Sequence, residues 1–191
     1  MTLNDEITEA QKYLEKPIAD KSKTCWRVIE LILLAAGYQR SDIDSHIADS
    51  NLQKPDYTIL PDEPEYTWYL EAKAWSEPLD DKDAQKPLNY AKRNGGRFVV
   101  LTNGKFWRLY DNAIQGLASD KFVTQANIES AERSEVFLER IGRRRVTTGE
   151  LQRFATSRRL NSRLSEQLRD PESKIINAIF ELRNMTACFM E

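Results

Sequence analysis

Apolar residues run almost without a break through KTCWRVIELILLAA, from Lys23 to Ala36, and Gly37 follows, where a left-handed cap is easily accepted. The run predicts a largely buried helix. After a polar connection, KPDYTIL (54–60) reads as a short strand led by proline, PDEPE (61–65) as a turn, and TWYLEAKAW (67–75) as a longer strand rich in aromatics. Asp83 to Arg93 has helical character and is stopped by Gly95-Gly96, with Pro87 comfortable only in a first turn. RFVVLTNGKFWRLYD (97–111) predicts a β-hairpin, because two β-rich runs flank Asn103-Gly104, the pair that best tolerates the positive φ angles of a type I′ turn. Beyond Ile128 the periodicity becomes helical, through AERSEVFLERI, TGELQRFATSRRL and PESKIINAIFELR, with Pro171 a natural start for the last helix. The expected architecture is α/β. A mixed sheet of about five strands, flanked by the first helix and the Asp83–Arg93 helix, occupies residues 1–127, and a helical extension rich in arginine occupies 128–191, with a soft boundary near residue 127.

Composition narrows the chemistry. The chain has 191 residues, 40% of them hydrophobic, enough for one sizeable core or a core with a helical appendage. No stretch approaches the roughly 20 apolar residues of a membrane span, and the start MTLNDEITEAQ lacks a signal-peptide pattern, so a cytoplasmic protein is expected. Cys25 and Cys188 form no CxxC pair and read as buried or idle thiols. His46, the only histidine, sits in a polar run and is expected on the surface, which argues against a hydrolase triad. The formal net charge is −2, but Ala131 to Arg169 contains ten arginines and five glutamates with no lysine or aspartate, a local +5 that leaves −7 elsewhere. Within it, Arg143, Arg144 and Arg145 are candidates for DNA phosphates, since guanidinium forks suit phosphate oxygens, although such runs are as often plain solvated helix faces. Trp26, Trp68 and Trp107 are assigned to core packing and Trp75 to an exposed position where it could stack on bases.

Side chains alternate along a strand, so Glu71 and Lys73 project to one side of TWYLEAKAW while Leu70, Ala72 and Ala74 point to the other. Asp56 stands earlier, with fourteen residues between it and Glu71, at the head of the preceding strand, and antiparallel pairing through PDEPE would bring it beside Glu71. Two carboxylates and an ammonium would then converge, a set that suits magnesium, a hard cation that takes oxygen ligands and keeps several waters. Taken alone, Glu-x-Lys is also the pattern of an ordinary solvated strand face. Glu30 adds weight, because an ionised carboxylate inside WRVIELILL costs several kcal/mol unless a cation or water reaches it.

These residues resemble the N-terminal nuclease domain of type I restriction enzyme R subunits and its stand-alone relatives, in the PD-(D/E)XK restriction-endonuclease-like superfamily. The resemblance spans about Lys23 to Asp111: Glu30, Pro55-Asp56, Glu71-Ala72-Lys73, then NYA and FVVLTNGKFWRLYD. It implies Mg²⁺ (or Mn²⁺) as cofactor, held by Asp56, Glu71 and the Ala72 carbonyl, with Glu30 completing the shell directly or through water. It implies Lys73 as the residue that positions the attacking water and stabilises charge on the phosphate. The family also places a glutamine before a helix tyrosine, with three residues between them, near the site. Here Tyr90 is preceded by Gln85 with four residues between, and Lys86 stands where the pattern would have glutamine.

The implied function is hydrolysis of DNA phosphodiesters by a metal-activated water, the alternative being a module that keeps the nuclease fold for DNA or subunit docking without cleaving. DNA is the implied partner, with other restriction-system subunits or a second copy of the chain beside it. R subunits also carry a helicase motor, which needs a GxxxxGK[ST] phosphate loop; this chain has none, so no nucleotide cofactor is expected. The ending NMTACFME reads like an incomplete helix and favours a last segment that packs against a partner.

Overall fold

The fold comes from a computed structural model, which describes residues 1–46, 54–170, 173, 174 and 178. The Pro171 helix start and Cys188 lie outside them. In chain order come α1 (Leu3–Glu15), α2 (Lys21–Thr24), a π-helical turn (Cys25–Ile29), α3 (Glu30–Ala35), a 3₁₀ turn (Arg40–Asp42), β1 (Ile43–Ser45), β2 (Tyr57–Ile59), β3 (Trp68–Ala72), α4 (Asp81–Arg93), β4 (Phe98–Thr102), β5 (Phe106–Asp111), α5 (Ala118–Lys121), β6 (Phe122–Asn127), α6 (Ala131–Arg140), α7 (Arg143–Thr147) and α8 (Glu150–Arg169). The chain divides into two compact units, Met1–Leu151 and Gln152–Glu191. Residue 127 ends β6, and α6 and α7 belong to the same unit as the sheet, with α6 packed on α1 and β6. No helix among the described residues is long and apolar enough to cross a membrane.

The architecture is α/β with six strands in one mixed sheet, in the order β1-β2-β3-β4-β5-β6. Every neighbouring pair is antiparallel except β3 and β4, which run parallel. A parallel pair needs a crossover, and α4 supplies it. Alternation along β3 then divides the two faces. Tyr69 packs with Val99, Leu101 and Tyr110 against Ala84, Leu88 and Ala91 of α4. On the opposite face Trp68 donates from Nε1 to the Tyr38 hydroxyl (3.1 Å), just past α3, and Tyr57 donates to Glu30 within α3 (3.0 Å). All five residues of β3 and of β4 are buried, as expected of central strands covered on both faces.

Several local expectations are corrected. The α4 helix begins at Asp81 behind an Asp80 cap, in a capping box with Asp83, so Pro87 falls in the helix interior; it is buried there beside Ala84, Leu88 and Ala91. The β4–β5 hairpin forms, but its turn is not type I′. Gly104 has φ 82°, while Asn103 keeps a negative φ and uses Oδ1 to accept the amides of Lys105 (3.1 Å) and Phe106 (2.8 Å). Trp26 is 51% exposed and Trp75 only 4%, the reverse of their assignments. Trp75 is covered by Tyr13 edge-on at 5.8 Å, whereas Trp26 lies on the outer side of its helix under the Arg27 guanidinium. His46 is no plain surface histidine: its side chain is largely enclosed, with Nε2 3.3 Å from Thr58 Oγ1 and 3.4 Å from Asp44 Oδ2.

Candidate active site

Register brings the two carboxylates of the motif together. Tyr57 pairs with Leu70 across β2 and β3, so Asp56, one residue before β2, stands opposite Glu71. Directly opposed residues of an antiparallel pair share a face and are near neighbours. Asp56 is held at both oxygens: Oδ2 accepts the Ala72 amide (2.7 Å), and Oδ1 accepts Lys21 Nζ (2.8 Å). Its own carbonyl accepts the His46 amide (2.8 Å), which ties β1 to the same point.

Glu71 is buried, and its Oε2 has no hydrogen-bond partner. Its nearest cation, Lys86 on α4, is 3.9 Å from Oε1 and half exposed, too distant and too wet to offset the burial. Burial first, and the neighbouring Asp56 charge second, push the Glu71 carboxyl up to about 7, against the smaller pull of Lys86, Lys21 and the Asp56 amide. An acid poised between its charged and neutral forms near neutrality, with one unsatisfied oxygen, is the type of group that gathers at functional sites.

Lys73 points to the α4 side like Glu71, and its ammonium pairs with Asp83 Oδ1 at 2.7 Å while its amide donates to the Thr102 carbonyl. Burial pulls the Lys73 ammonium down, but Asp83, Glu77 and Glu71 together outweigh it and hold it above its ordinary value. Glu30 lies apart. Its Oε1 accepts from the Tyr57 hydroxyl and its Oε2 is 3.7 Å from Arg40, so this carboxylate is only partly buried and its cation is an exposed arginine of the following turn. Cys25, beneath this cluster, is fully enclosed, and burial pushes its thiol up to about 11, leaving it an inert thiol.

On α4 it is Lys86 that reaches Glu71. Gln85 donates to Asn89 one turn along the helix, and Tyr90 packs edge-on against Tyr69 at 5.1 Å, two residues along β3 from Glu71. All three arginines of the triplet are engaged within the first unit. Arg143 pairs with Asp42 and Glu63, Arg144 with Glu150, and Arg145 with Glu139 and Glu150. Lys21 and Asp83 belong to no motif and were missed. The signal for Lys21 was Asp20, whose Oδ1 caps the Lys23 amide and starts the helix two residues before the apolar run. Among the described residues no three acidic, histidine or cysteine side chains come together as a set that could hold a metal, so this site offers a pair of carboxylates and not a trio.

A scan against protein-family models gives no match, and neither does a search of curated protein sequences. Among solved structures, the chain is similar to one in the cryoEM structure of the DrdV–DNA complex, with a TM-score of 0.39 and 14% sequence identity over 73% of this chain. The likeness spans 14% of that much longer chain.

Proposed function

We propose that this chain is a metal-dependent DNA nuclease domain that hydrolyses phosphodiester bonds, with Asp56, Glu71 and Lys73 at its centre. The observation that supports the reading is the Asp56–Glu71 pair, two carboxylates facing each other from neighbouring strands, one of them with a buried oxygen lacking any partner. Such a donor set fits Mg²⁺ or Mn²⁺, which accept one or two carboxylates and keep waters or substrate oxygens in the other positions. Asp56 and Glu71 would hold the ion. The Ala72 carbonyl would join them, because the Ala72 amide already points at Asp56 and the N–H and C=O of one strand residue lie on the same side. When bound, the ion supplies Lewis-acid polarisation of a phosphate oxygen and lowers the pKa of a water.

The chain's own residues do the rest. Lys73, fixed by Asp83, places a positive charge on the carboxylate side of β3, where negative charge grows on the phosphorus oxygens during attack. The Ala72 amide keeps Asp56 from rotating away. Glu30, engaged by Tyr57 and Arg40, braces the head of β2 from the other face. One observation favours a second reading, a docking module that binds DNA or a subunit without cleaving: Asp56 and Glu30 each already have a cation of the chain itself beside them, and among the described residues no third acid joins the pair. One experiment separates the two. Supercoiled, linear and single-stranded DNA are incubated with the purified chain, with and without Mg²⁺ or Mn²⁺. Divalent-dependent cutting that is lost in Asp56→Asn supports the nuclease, and binding without cutting under every condition supports the module.

A further inference from the structure

Lys21 lies outside every motif discussed above, yet it makes a close charged contact with a candidate metal ligand, 2.8 Å to Asp56. The π-helical turn explains how it gets there. In an uninterrupted α-helix Lys21 and Glu30, nine residues apart, would project about 180° from each other. A π turn winds one extra residue into the helix and removes about 100° of that rotation. Both side chains therefore reach consecutive residues of one strand head, Lys21 the Asp56 carboxylate at 2.8 Å and Glu30 the Tyr57 hydroxyl at 3.0 Å. Single π turns inside α-helices are frequent at functional sites, and this one aims a lysine at a carboxylate of the candidate active site.

We propose that Lys21 is a substrate-binding residue: its ammonium rests on Asp56 Oδ1 in the free protein and transfers to an oxygen of the scissile phosphate once Asp56 is committed to a divalent cation. The inference rests on the nuclease reading above. An ammonium and a divalent cation cannot share one carboxylate oxygen, because like charges a few ångströms apart repel by several kcal/mol wherever water is partly excluded. The Lys21 side chain is 37% exposed on a flexible four-carbon stem, free to swing without breaking the core. Its alternatives are few. Glu71 would be committed to the same cation and Asp83 is already bound by Lys73, so a phosphate seated at the acid pair is the anion that the displaced ammonium would meet.

The full chain and its Lys21→Met and Lys21→Arg variants are compared in two binding measurements, with thermal melts as a check of folding. Calorimetry with Mn²⁺ alone should show Lys21→Met binding the ion about threefold more tightly or better, the size of a lost partly exposed competitor. Anisotropy of a short labelled duplex in Ca²⁺ should show Lys21→Met binding DNA about tenfold more weakly, while Lys21→Arg stays near the parent. If Lys21→Met fails to fold, Lys21→Gln is put through the same pair of measurements. Unchanged or weaker Mn²⁺ binding would make Lys21 a mere prop for Asp56 and overturn the proposal, as would unchanged DNA affinity in Ca²⁺. A parent chain that binds the duplex and the ion but never cuts DNA sinks the nuclease reading, while the two Lys21 measurements are still decided.

Discussion

Glu71 is asked to be two things at once, a buried side chain in a central strand and a charged ligand. Its carboxyl titrates near its ordinary value of 4.5 in the unfolded chain and at about 7 in the folded one, mainly through burial and secondly through Asp56. A raised acid binds its proton more tightly when folded, so its contribution to stability is complete below the unfolded pKa and is lost as pH rises through the folded one. The parent should therefore lose stability between about pH 5 and about pH 8 relative to Glu71→Gln, read as urea midpoints across that window. A constant gap between the two proteins would mean that some other group controls the slope. Metal affinity should run the opposite way, since a cation needs the carboxylate form, and Mn²⁺ binding by calorimetry should strengthen over the same range. Asp56→Ala and Glu71→Ala should each abolish that binding while circular dichroism stays unchanged; parent-like binding in both would put the ion elsewhere. Lys73 is expected to act in the transition state, so Lys73→Ala should slow cleavage by about 10²-fold or more with little effect on DNA affinity. If the rate does not change, the Lys73–Asp83 ion pair is simply structural.

At the scale of elements, the hairpin that carried much of the family resemblance turns out to be a structural clasp for the site. Asn103 is buried in the turn after β4, where Oδ1 accepts two amides and Nδ2 donates to the Glu77 carbonyl (2.7 Å) in the segment leading from β3 to α4. Asn103→Ala leaves those groups unpaired and should destabilise the protein by about 1–3 kcal/mol in urea unfolding, with Asn103→Asp recovering the two amide bonds but not the one to Glu77. No change in Asn103→Ala would show that water replaces the side chain. The same turn shows how far the sequence could be read. Alternation put Glu71 and Lys73 on one face, spacing put Asp56 opposite Glu71, and Asn103-Gly104 marked the hairpin, because each rests on local backbone rules. The π turn, which has no sequence signature, hid Lys21. Lys86 was visible only as a departure from a glutamine, since its approach to Glu71 depends on how α4 crosses β3. The α1 helix and strands β1 and β6 carry patterns too short or too polar to stand out. Trp26 and Trp75 were exchanged because hydrophobic type alone does not say which side of an element faces the sheet.

Over the whole molecule the charge that mattered in the sequence is spent differently in the fold. The arginine triplet of α7 is paired with acids, and Arg143 links the 3₁₀ turn and the PDEPE turn, residues 101 and 80 positions away, to the helical end of the first unit. A guanidinium already held by two carboxylates, as those of Arg143 and Arg145 are, adds little to the salt dependence of DNA binding, and Arg144 is held by Glu150. The cations left near the acid pair are lysines, and lysine contacts to phosphate carry no sequence information. We therefore expect the chain alone to cut DNA without ATP and with little sequence preference, and its binding to weaken steeply with salt, by a log–log slope of roughly −0.9 per phosphate neutralised on duplex DNA. Replacing Arg143, Arg144 and Arg145 by glutamine should lower the urea midpoint and leave that slope as it is, whereas replacing Lys21 and Lys86 should flatten it by about two phosphate equivalents. Affinity measured at several salt concentrations on two unrelated duplexes decides the matter. A flattened slope in the arginine variant would return α7 to the DNA interface, and a strong difference between the two duplexes would reveal base-reading elements and overturn the expected lack of sequence preference.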